Sequence, residues 1–314
     1  MNISVKAKER FCRDCNIPIR LFHEPYFMDR LTLFDKFYGT LEKWNVFVEE
    51  LQKYHCEQDY FEEYNRVKDA AINSIKETEA YQRFNNDNMN QYIIRKDLPK
   101  TDIFKTDNDG RIFVSVDMRK ANFSSLYHYD KDIFSGASTW EEFIGRFTSN
   151  KHIINSKYIR QVILGNCNPG RHITYEKYIM NGILEFLTKS IFPINKVVFF
   201  SNDEIVVDIT DYGLKDNAFL RLQEYLDNKI NVPVKVEIFK LHKIINTDGY
   251  YKEIFKENGE TEIEFKCLDN YMMPFVLRTF LGEEITENDK VFYHEKLLAK
   301  FIDVPNLSNI GGVN

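Results

Sequence analysis

The stretch "VVFFSNDEIVVDI", Val197–Ile209, limits the fold more tightly than any other part of the chain. Two runs of β-branched and aromatic residues flank Ser201, Asn202, Asp203 and Glu204, and such runs predict a pair of buried strands. A carboxylate between buried strands costs free energy unless it is paired or binds a cation. Asn-Asp is also good turn chemistry. Taken alone, the acidic pair therefore fits the apex of a tight hairpin as well as it fits a ligand site.

A second strand-borne acid changes the balance. Asp117 closes the run "RIFVSVDM", Arg111–Met118, which reads as another strand. Mg²⁺ takes hard oxygen ligands, commonly one or two carboxylates plus phosphate oxygens. A pair of such ions clamps the attacking and leaving oxygens of an in-line displacement at phosphorus. Asp117, Asp203 and Glu204 are accordingly candidate catalytic and metal-ligating residues for phosphoryl or nucleotidyl transfer with Mg²⁺ or Mn²⁺.

Around these acids the pattern divides the chain. Residues 1–105 are expected to be a helical N-terminal region. Leu31, Leu33, Phe34, Phe37, Leu41, Trp44, Phe47, Val48 and Leu51 recur at helical steps that Gly39 could divide. "DYFEEYNRVKDAAINSIKETEAYQRF" continues the helical pattern, and the aromatic residues around Tyr38, Trp44 and Phe47 are expected in the core rather than as a base-stacking platform. Residues 106–290 read as a strand, a helix around "STWEEFIGRF", a Gly/Asn/Pro-rich loop, a long helix from about Ile173 to Lys189, the acidic strand pair, a helix over "DNAFLRLQEYLDN", the strand "VPVKVEIFKLHKI", and a hairpin turning at Asn258-Gly259. Ser138 or Thr139 with Glu141 or Glu142 predicts a capping box. Residues 291–314 are expected to be a C-terminal helix and a flexible tail. The fold class expected is α+β: a palm-type antiparallel sheet with helices on one face, preceded by the helical region.

Composition supports a folded chain with bulky packing: 43% of the 314 residues are hydrophobic, so global disorder is excluded. The net charge of -6 does not advertise a nucleic-acid partner, although a basic channel can coexist with an acidic exterior. No window is long and apolar enough to predict a membrane span. The start of the chain lacks a signal-peptide pattern. The odd set Cys12, Cys15, Cys56, Cys167 and Cys267 is therefore expected to be reduced thiols in a cytoplasmic setting. Cys12, Cys15, His55 and Cys56 supply four possible zinc ligands, but the adjacent second pair is poorly spaced for one ion, and buried thiols are the expected reading.

In order and spacing the segments from about 110 to 290 resemble the palm domain of right-hand template-directed polymerases, reverse transcriptases and RNA-dependent polymerases most closely. "VDMRKANFSSL" resembles motif A through Asp117, Ala121, Asn122 and Phe123. "GNCNPGRHITYEKYI" resembles motif B through Gly165, Asn168 and Pro169, and "FFSNDEIVV" resembles motif C through Asp203 and Glu204. Phe280–Ile285 resembles the primer-grip hairpin region. The spelling Ser-Asn-Asp-Glu departs from the aromatic residue and two Asp usual in reverse transcriptases. It looks more like the His-Asp-Glu of another DNA polymerase family, but the short interval between Asp117 and Asp203 leaves no room for that family's fingers insertion.

The resemblance implies a template-directed nucleotidyltransferase using two divalent metals, with nucleoside triphosphates and a nucleic-acid template and primer as partners. A viral or mobile-element origin suits so small a chain. The resemblance also implies a nucleotide-binding set of Arg119, Lys120, Asn122, Phe123, Gly165, Asn168 and Arg171. Asn122 stands where these families sense the sugar 2′ position, which implies tolerance of ribonucleotides. Lys157 and Arg160 are further cations near the acids. Lys235, Lys240, His242 and Lys243 are candidates for a proton donor to departing pyrophosphate. Two other readings stay open: a catalytically degenerate palm that binds nucleotide or nucleic acid, and a non-templated palm enzyme such as a cyclase or terminal transferase.

Overall fold

The computed structural model describes residues 3–212, 221–295, 297–307 and 310. The N-terminal region is helical, as its periodicity predicts: α1 (Val5–Asp14), α2 (Tyr26–Tyr38), α3 (Thr40–Leu51), α4 (Glu57–Glu77) and α5 (Glu79–Asn86). Gly39 divides α2 from α3 at φ 55°, a left-handed turn that glycine reaches without a Cβ penalty. Thr78 divides α4 from α5, its hydroxyl accepting from the Tyr81 N–H at 3.1 Å. Trp44 anchors the bundle, with its ring 4.9 Å from Phe11 and 5.1 Å from Phe27.

The sheet begins with β1 (Ile112–Met118). Then come α6 (Ala121–Tyr129), α7 (Trp140–Gly145), α8 (Lys151–Asn155), α9 (Lys157–Gly165) and the long α10 (Pro169–Ser190). β2 (Val197–Phe200) and β3 (Glu204–Asp208) form the acidic hairpin, and α11 (Leu222–Asp227) leads to β4 (Val234–Lys243). Positions 216–220 of the expected helix lie outside the described residues. β5 (Tyr250–Phe255) and β6 (Thr261–Lys266) complete a six-stranded sheet of order β2-β3-β1-β4-β5-β6, with every neighbouring pair antiparallel. The run β2-β3-β1-β4 is the split β-α-β-β-α-β arrangement, extended by one hairpin. The fold is α+β with a helical region before the sheet.

Side chains alternate across the sheet, as a strand period of two requires. Val114, Val116 and Met118 of β1 join the main core, which continues into the N-terminal helices. Phe113 faces the other way, into a smaller apolar cluster with Val206, Phe239 and Leu241 that the segment at Ile103 and Phe104 covers. Helices therefore pack on the inner face, and Ser115 and Asp117 share the outer face with Phe113.

Three expectations are corrected. Lys157–Gly165 is a helix, not part of the Gly/Asn/Pro-rich loop; Ser156 caps it by accepting from the Ile159 N–H at 3.0 Å. Phe280–Ile285 is not a hairpin: Phe280 and Leu281 end α12 (Met273–Leu281), and Gly282 stops it at φ 68°. Residues 291–295 and 297–300 are not helical. β7 (Val291–His294) pairs with β8 (Leu297–Lys300), because aromatic and apolar runs on both sides of a left-handed Glu295 favour a hairpin over a helix. The tail positions 308, 309 and 311–314 lie outside the described residues.

Candidate active site

The β2–β3 connection is a two-residue turn. The Ser201 N–H donates to the Glu204 carbonyl at 2.9 Å, leaving Asn202 and Asp203 at the apex. The Ser201 hydroxyl braces that apex, donating to Asp203 Oδ1 at 2.9 Å and accepting from the Glu204 N–H at 3.0 Å. The turn and ligand readings of the acidic pair thus describe the same atoms. Register carries the turn to β1: Asp117 lies opposite Glu204, and the Met118 N–H donates to the Asp203 carbonyl at 2.7 Å. Three carboxylates meet at one end of the sheet.

Their electrostatics reflect that meeting. Burial, then Glu204, Asp203 and Glu237, push the Asp117 carboxyl up to about 7, with Lys235 opposing. Glu204 accepts from the Ser115 hydroxyl at 2.5 Å on the outer face. Like charges this close resist joint ionisation unless a cation intervenes. Asp117 and Asp203 would be its principal holders, with Glu204 beside them. Among the described residues no three acidic, His or Cys side chains stand together as a group that could by itself hold a metal ion. Two carboxylates with ligand and water oxygens are what Mg²⁺ ordinarily takes.

Asp117 stands on the ridge between two cavities. The first, about 430 Å³, runs from Asp117 and Asp203 to the wall made by α9 and the start of α10; Lys120, Asn122, Lys157, Arg160 and Gly165 line it. The second, about 280 Å³, lies on the outer face and includes Ser115, Glu204, Lys235 and Glu237. Lys157 touches both.

The remaining expected nucleotide contacts do other work. Arg119 does not line the first cavity; its Nε donates to the Val234 carbonyl at 2.9 Å and ties β1 to β4. Arg171 is turned to the end of α5, donating from Nε to the Phe84 carbonyl at 3.0 Å. Asn168 holds a left-handed φ of 62° before Pro169, and its amide donates to Asn85 Oδ1 at 2.8 Å. Phe123 is core, its ring 4.5 Å from Phe134. Among the proton-donor candidates Lys235 lies opposite Asp117, whereas Lys240 pairs with Ile112 at the far end of β1. His242 sits 2.9 Å from Glu253, and Lys243 donates to the Thr247 carbonyl at 2.6 Å. Cys12 is buried while Cys56 is exposed, and no zinc cluster occurs among the described residues. No described helix is long and apolar enough to cross a membrane.

Two wall residues carried no separate sequence signal beyond their spacing. Glu176, one turn after His172 on α10, accepts from the Asn202 amide at 2.7 Å. Burial pushes its carboxyl up to about 7, against the Asn202 hydrogen bond, and Asp203 adds to the rise. His172 is 3% exposed, its Nε2 has no partner among the described residues, and burial lowers its pKa to about 4, so the ring is neutral near pH 7. Their i, i+4 spacing opposite the hairpin was the available clue. No family model matches the chain, and no curated protein and no solved structure matches it.

Proposed function

We propose that the chain is a template-directed nucleotidyltransferase of the reverse-transcriptase or RNA-polymerase type, acting on nucleoside triphosphates with Mg²⁺ or Mn²⁺. One observation carries the reading: Asp117 and Asp203 converge at one end of a split β-α-β-β-α-β sheet, on a cavity whose opposite wall is cationic. A bound divalent cation would offset the charge that builds on phosphate oxygens during in-line displacement. The chain's own residues position the reactants. The Ser201 hydroxyl fixes the Asp203 carboxylate, the Ser115 hydroxyl fixes Glu204, and the strand register fixes Asp117 against both. Asn122 lines the same cavity, with Oδ1 accepting from the Phe123 N–H at 3.0 Å and its amide group left to face a sugar hydroxyl. That arrangement supports acceptance of ribonucleotides. Lys235 lies opposite Asp117, but its ammonium pairs with Glu237 and lines the second cavity, so it stays a proton-donor candidate by its closeness to the acids alone.

A second reading, nucleotide or nucleic-acid binding without catalysis, draws support from the lack of such a metal-holding group among the described residues. A non-templated enzyme on the same site is the third. One experiment separates all three: the protein, Mg²⁺ or Mn²⁺, labelled nucleotides, with and without a primed template, beside Asp203→Ala. Templated incorporation lost in the variant supports the proposal. Template-independent incorporation moves it to the third reading. No incorporation, or equal incorporation by the variant, would falsify the catalytic reading.

A further inference from the structure

Arg160 carries a buried donor that no described residue accepts. It lies within the first turn of α9 and lines the first cavity. Its Nε is buried and has no hydrogen-bond acceptor among the described residues. A buried guanidinium N–H without a partner forfeits several kinds of stabilisation, and native structures seldom leave one so. Lys157, three positions earlier on the same helix face, also lines the cavity and makes no ion pair among the described residues. The third cation, Lys120, is occupied: its Nζ donates to both carboxylate oxygens of Glu141 at 2.6 Å. Glu141 is also the acid whose charge acts on Arg160. Among the described residues Glu141 is the carboxylate that pairs with these cations, and the wall they form has donors for more negative charge.

We propose that Arg160 and Lys157 of α9, with Lys120, form a grip for a polyphosphate tail, and that Glu141 is its placeholder. An arriving chain of linked phosphates takes the Arg160 fork and draws Lys120 away from Glu141. Arg suits this role because its planar donors match two phosphate oxygens at once. The inference rests on the nucleoside-triphosphate reading of the cavity, and it moves the phosphate contacts from Arg119 and Arg171 to α9.

The test uses the full chain and inorganic tripolyphosphate, with affinity measured by calorimetry. Arg160→Gln is expected to weaken binding at least tenfold, and Arg160→Lys to weaken it less. Glu141→Gln is expected to tighten binding several-fold, because the competing carboxylate is gone; a gain cannot arise from misfolding. Arg119→Gln is expected to leave the affinity unchanged. Wild-type affinity in Arg160→Gln, weaker binding in Glu141→Gln, or no binding by the native chain overturns the grip. Templated incorporation is scored separately. If the grip behaves as expected while the chain incorporates nothing, the polymerase reading falls and the grip stands; if incorporation proceeds with an unchanged nucleotide KM in Arg160→Gln, the grip falls and the polymerase reading stands.

Discussion

Asp117 of β1 and Glu204 of β3 stand directly opposite each other across an antiparallel ladder. Like charges in that position destabilise a sheet. The fold tolerates the pair at the ridge between two cavities, where Asp117 carries its proton up to about pH 7.

The sign of the resulting pH dependence follows. A carboxyl raised from 3.8 to about 7 holds its proton in the folded chain across that window while the unfolded chain loses it. Its penalty is absent below the lower value and complete above the upper one, so stability falls as pH rises through the window. Asp117→Asn should therefore raise metal-free stability at pH 8 by about 1 to 3 kcal/mol, and the gain should shrink toward pH 4. Denaturant melts at both values check this; a gain that ignores pH would remove the explanation.

Divalent cations should have the opposite effect to charge repulsion. Millimolar Mg²⁺ or Mn²⁺ is expected to raise the melting temperature of the native chain by a few degrees at pH 8, because a ligand of the folded state stabilises it by mass action. Asp203→Ala should lose most of that shift. Scanning calorimetry with and without a chelator gives the answer, and an equal shift in the variant would place the cation elsewhere.

Glu176 offers a second titration, away from the paired strands. Burial raises its carboxyl from 4.5 to about 7, so it too penalises folding increasingly as pH rises between those values. Glu176→Gln keeps an acceptor for the Asn202 amide and removes the charge. It should gain about 1 to 3 kcal/mol at pH 8 and nothing near pH 4. Melting curves across that range decide the matter, and destabilisation at pH 8 would contradict it.

Asn122 is the residue to change for sugar choice. Asn122→Phe places a bulky ring in the first cavity and should cut ribonucleotide use at least tenfold while sparing deoxynucleotides. Parallel incorporation assays with each nucleotide set measure it. Strict deoxynucleotide use by the native chain would sink the idea.

Stability of the N-terminal region rests on Trp44. Its ring packs against Phe11, Phe27 and Phe47, and only 8% of it is exposed. Trp44→Ala should cost about 3 to 5 kcal/mol through lost burial and the cavity left behind. Chemical denaturation reads this directly, and a loss below about 1 kcal/mol would mean the bundle repacks.

The sequence by itself determined most of the elements, because periodicity and turn chemistry are local. Gly39 divided α2 from α3, Asn258-Gly259 turned β5 into β6, and Asp117 and Glu204 stood at strand ends with Asp203 in the turn between β2 and β3. Local pattern failed where the apolar stretch Lys157–Gly165, read together with the Gly/Asn/Pro run that follows it, was helical, and where a short amphipathic run became the β7–β8 hairpin. Tertiary structure alone decided which charges serve the site. Arg119 and Arg171 were nearest the motifs in sequence, yet carbonyls at Val234 and Phe84, distant along the chain, claim them. Arg160 was left with a buried donor unpartnered among the described residues, and Glu176 was buried against the acidic turn. A side chain's charge is written in the sequence, but the partners that occupy it come from long-range packing.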